Sequence, residues 1–67
     1  MNRIAYNVKV LGKSVDKFDN LEQAREKLGL CKILGLDAKI FKEQLELQED
    51  PVVLDKVWKV VQSEQVE

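Results

Sequence analysis

Cys31 is the one thiol in a 67-residue chain that contains no histidine. A cysteine nucleophile works as the thiolate and needs a neighbouring base or cation to form it. Without an imidazole the usual base is missing. Cys31 also continues the spacing Leu21, Ala24, Leu28, Cys31, the recurrence of one buried helical stripe, so its expected role is packing. Glu43, Glu46, Glu49 and Asp50 form an acidic stretch. It lacks the fixed oxygen-ligand pattern of a calcium loop, and a solvated acidic face is expected. Gly12, Gly29 and Gly35 stand too far apart to form a phosphate-binding loop. No catalytic, cofactor-binding or metal-ligating residue is assigned, no cofactor is expected, and the chain reads as a non-enzyme.

Four side chains remain as interaction candidates: Lys9, Lys13, Lys17 and Trp58. The three lysines and Arg3, against Asp16, give residues 1–17 a local charge of about +3, and residues 37–50 carry about −3 by the same count. The basic groups have the chemistry to contact phosphates, but they serve equally to keep the edges of a small sheet charged and soluble. Tryptophan is enriched at binding hot spots, although Leu54, Val57 and Val61 around Trp58 favour core packing. Overall, 11 basic residues face 12 acidic ones. Generic nucleic-acid and membrane-surface binders usually show a positive excess, so nucleic acid is the less favoured partner and a membrane is not expected. A lone cysteine forms no internal disulfide and fits a reducing cytosol. With no signal peptide and no apolar run near the ~20 residues that span a bilayer, a soluble cytoplasmic protein is expected.

These residues must be positioned by a few short elements. The firmest is a helix over about 20–34. Asp19 or Asn20 can cap it, with Glu22 or Gln23 at capping-box spacing, and Gly35 is the favoured stop over Gly29. Before it, Ile4, Tyr6, Val8 and Val10 alternate with Arg3, Ala5, Asn7 and Lys9, which predicts a half-buried strand over about 3–11. Gly12 permits a tight turn, and residues 13–18 read as the return strand of a hairpin. After the helix, residues 38–47 read as strand by alternation and as helix by propensity. Strand is preferred because a two-stranded sheet is rarely stable alone. Asp50-Pro51 is a helix-start signal, and Val53, Leu54, Val57, Trp58 and Val61 then make one apolar face. That pattern predicts a second helix over about 51–63, with residues 64–67 fraying.

The expected fold is therefore α+β, a small single domain over residues 1–67 of order ββαβα, with an antiparallel sheet packed against two helices. The alternative is a ribbon-helix-helix-like dimer, in which strand 4–10 pairs with its twin in the major groove and the first helix runs from 14 to 28. A domain this small is marginally stable, and a homodimer is one route to added stability. The leading functional expectation is a small regulatory or interaction module that binds another protein. In pattern alone it resembles small regulators encoded by phages and mobile elements, a likeness that identifies no partner. The runner-up is a dimeric ribbon-helix-helix DNA-binding regulator.

Overall fold

The computed structural model describes residues 2–67. The element order is β1 (Asn2–Val10), β2 (Lys13–Phe18), α1 (Leu21–Ile33), β3 (Ala38–Asp50) and β4 (Asp55–Gln65). The strands form one antiparallel sheet of order β2-β1-β3-β4. The architecture is thus ββαββ, mostly sheet, with one helix rather than two.

Helix α1 begins and ends as its sequence dictates. Asn20 is the N-cap, and its Oδ1 accepts a 2.9 Å bond from the Gln23 N–H. At the other end Gly35 sits at φ +77°. The Gly35 N–H donates to the Lys32 carbonyl and the Leu36 N–H to the Cys31 carbonyl, the paired bonds of a Schellman stop. The helix lies over β1, β2 and β3 but does not reach β4. Between α1 and the sheet are Val8, Ala24, Leu28, Cys31, Ala38 and Ile40, flanked by Tyr6, Val10, Phe18 and Leu21. Val8 and Ile40 face each other across β1 and β3 and are fully buried, each worth roughly 1.5–3 kcal/mol by burial.

The predicted helix over 51–63 is instead a turn followed by β4. Asp50 and Pro51 favour a turn as readily as a helix start. Here Asp50 Oδ1 accepts the Val52 N–H at 2.8 Å and its carbonyl accepts the Leu54 N–H at 2.8 Å. Val57, Val60 and Val61 are β-branched and suit a strand, and β3 offers a whole free edge to pair with. The helical appearance arises from a bulge. Leu45 pairs with Val60 and Gln44 with Gln62, leaving Val61 unpaired, which breaks the period-two alternation. Residues 64–67 do not fray: the Val66 N–H donates to the Ile40 carbonyl, the Ile40 N–H donates to the Glu67 carbonyl, and Arg25 pairs with the Glu67 side chain.

The ribbon-helix-helix alternative is also overturned. Residues 13–18 are strand β2, paired with β1 from Tyr6–Phe18 to Val10–Lys13, so no helix runs from 14 to 28. From Tyr6 to Val10, β1 has β2 on one side and β3 on the other within the same molecule, so this stretch leaves no free edge for a twin.

Candidate functional site

Because α1 covers one face of the sheet, the alternate residues of every strand line a second face that no helix covers. Register places Arg3, Ala5, Asn7 and Lys9 of β1 there, with Lys17 of β2, Phe41, Glu43, Leu45 and Leu47 of β3, and Trp58 and Val60 of β4. At its centre Ala5, Asn7, Glu43 and Leu45 are buried although no helix covers them.

A polar chain crosses three strands of this face. Ser14 Oγ donates to Asn7 Oδ1 at 2.6 Å, and Asn7 Nδ2 donates to Glu43 Oε2 at 3.3 Å. Lys17 Nζ lies 3.3 Å from Glu43 Oε1. That last contact is an ion pair without hydrogen-bond alignment, so Oε1 is buried with no hydrogen-bond donor. Two cations lie against aromatic rings beside this chain. Lys9 Nζ is 4.6 Å from the Phe41 ring centre and Arg3 Cζ is 5.9 Å from that of Trp58, within the range of cation–π attraction. Arg3 Nη2 also bonds Asp19 Oδ1 at 2.9 Å.

Of the four interaction candidates, Lys9, Lys17 and Trp58 share this uncovered face. Lys13 does not: it pairs with Val10 beside the β1–β2 turn. Lys17 is engaged by Glu43 and Lys9 by Phe41. Trp58 is not in the core, since 39% of it is exposed on β4. The acidic stretch is likewise not a uniformly solvated face, because Glu43 is buried within the polar chain. Nothing in the local sequence distinguishes Glu43 from Glu46 or Glu49; only the register does, which sets Glu43 opposite Ala5 and within reach of Asn7 and Lys17.

The feature that sequence reasoning missed is the outer edge of β4. It spans 11 residues, and all of them but Val57 are exposed. Its signal was the cluster of β-branched residues around Trp58, masked by the bulge at Val61. The chain has no match among known protein families, curated proteins or solved structures. Among the described residues no group of three or more histidine, cysteine or carboxylate side chains is placed to hold a metal ion, and no helix is long and apolar enough to cross a membrane.

Proposed function

We propose that this chain is a non-enzymatic interaction module that binds another protein by accepting a partner strand along β4. The observation that carries the reading is the contrast between the two sheet edges. β2 is only six residues long, and a short edge discourages strand addition. Charged side chains and one bulge, at Val15 and at Val61, are common to both edges and do not separate them. β4 is nearly twice as long, uncovered by the helix, and brings Trp58 and Val60 to its exposed flank. An added strand would gain main-chain hydrogen bonds from the edge, with side-chain selectivity from the flanking residues. Trp58, held by Arg3, is the anchor. Nucleic acid is less well supported, because Lys9 and Lys17 are engaged within the molecule. The buried, unpaired thiol of Cys31 suits a reducing compartment, and the cytoplasm is the proposed location.

Selection of random-sequence peptides against the immobilised chain tests this. Selected peptides are expected to alternate apolar and polar residues and to lose binding when their main-chain amides are methylated. Selection of amphipathic helices, or binding unaffected by amide methylation, would overturn the reading.

A further inference from the structure

Among the described residues, two non-glycine residues have positive φ, and both are leucines: Leu11 at 52° and Leu54 at 57°. Each occupies a hairpin turn, where glycine, asparagine or aspartate fits with less strain. Neither leucine is used for packing, since Leu11 is 81% exposed and Leu54 88%. A strained backbone that displays a large apolar side chain to solvent invites a functional explanation.

The two turns lie at opposite ends of the sheet. Val10 is opposite Ala38, and the Leu11 N–H bonds the Asp37 carbonyl, so the Leu11 turn sits at the start of β3. The Leu54 turn follows the end of β3, twelve residues on, a span of about 40 Å in extended chain. The molecule measures 42 Å along its longest axis. At the Leu11 end the chain leaving α1 adds Ile33, Leu34 and Leu36, all exposed. At the Leu54 end the turn adds Val52 and Val53, also exposed.

The charge around the two ends is opposite. Lys9 and Lys39 line the Leu11 end together with Asp37, and Lys13 and Lys32 adjoin it in sequence, a net charge of about +3. Glu67, which bonds Ile40, is paired with Arg25. Glu46, Glu49, Asp50 and Asp55 flank the Leu54 end against Lys56 and Lys59, a net charge of about −2. Each end is thus an apolar patch with a charged collar, and the two collars attract.

The geometry points to a second copy of this chain as the occupant of each end: the hairpin tip at Val52–Leu54 of one molecule docks on the Leu11, Ile33, Leu34 and Leu36 end of the next. Such a contact joins two different surfaces and is heterologous. It does not close on itself after two copies, so association continues head to tail. Apolar burial holds the joint and the opposite collars set its polarity. The inference is independent of the β4 reading, because it leaves the edge of β4 free.

Sedimentation of the full chain from micromolar to millimolar concentration tests it, with circular dichroism to verify folding. The wild-type chain is expected to show an average mass that rises continuously with concentration and falls with added salt. A tip variant, Val52→Ser with Leu54→Asn, and an end variant, Ile33→Gln with Leu34→Gln, are each expected to remain monomeric. These positions are exposed, so the fold should be retained. An equimolar mixture of the two variants keeps one intact tip and one intact end, and is expected to form dimers and nothing larger. A wild-type chain that stays monomeric at millimolar concentration would overturn the proposal. So would either variant alone assembling like wild type, or a wild-type chain that stops at a closed dimer.

Discussion

Lys17 on β2 reaches past β1 to place its Nζ 3.3 Å from Oε1 of Glu43 on β3. Glu43 is only 4% exposed although no helix covers it, and its polar partners are Lys17 and Asn7, whose Nδ2 donates to Oε2. Lys17 is itself half exposed, which screens the pair and tempers its worth. The larger effect is the cost of leaving the buried carboxylate alone. Lys17→Met is expected to destabilise the fold by about 1–3 kcal/mol in urea titration. Adding Glu43→Gln, which removes the charge but keeps the shape, should recover part of that loss. If Lys17→Met alone is neutral, the ion pair does not hold the three strands.

The two strained leucines make a prediction of opposite sign. Leu11→Asn creates an Asn-Gly turn with both central residues at positive φ, the arrangement that two-residue hairpins favour. Leu54→Gly removes the Cβ conflict at the other turn. Each is expected to raise stability by about 1 kcal/mol, which thermal melts of dilute chain would register. A loss of stability at either site would mean that the leucine packs within its own molecule.

At the β3–β4 turn, the Val52 N–H donates to Asp50 and holds its carboxyl below the ordinary aspartate range, with Lys59 adding attraction. A depressed folded-state pKa contributes stability above the unfolded value of about 3.9, and that contribution is lost as pH falls through the folded value. The turn should therefore loosen only in acid, below the ordinary aspartate range. Proton NMR of the Val52 amide across that range measures it. Asp50→Asn should abolish the pH dependence of this amide.

Trp58 carries the proposed recognition. Trp58→Ala is expected to weaken binding of a selected peptide by about 2 kcal/mol, near thirtyfold in Kd. Lys13→Ala, at a site away from the uncovered face, should leave affinity within about twofold. Equal effects of the two substitutions would remove Trp58 as the anchor.

The first half of the chain was legible because its signals are local. Asn20 has its acceptor three residues from Gln23, Gly35 supplies the positive φ of a helix stop, and Ile4 to Val10 alternate without interruption. β4 was not legible, because its alternation is broken at Val61 and because Asp50-Pro51 suits two structures equally. A strand also owes its existence to a neighbour: Trp58 pairs with Leu47 and Val60 with Leu45, contacts that no window around residues 51–63 contains. The same holds for the surface. Lys17 looked like a free cation until the register set it opposite Asn7 and beside Glu43. Trp58 looked like core because its apolar neighbours were read on a helix that does not form.

Amide hydrogen exchange along β4, read residue by residue by NMR in the dilute chain with and without a selected peptide, tests the edge reading most directly. Strand addition predicts that outward-pointing amides between Asp55 and Gln65 exchange rapidly in the free chain. They should gain protection at every second residue when the peptide binds, while β2 is unchanged. Protection confined to β2 or α1, or outward-pointing β4 amides already protected in the free monomer, would contradict it.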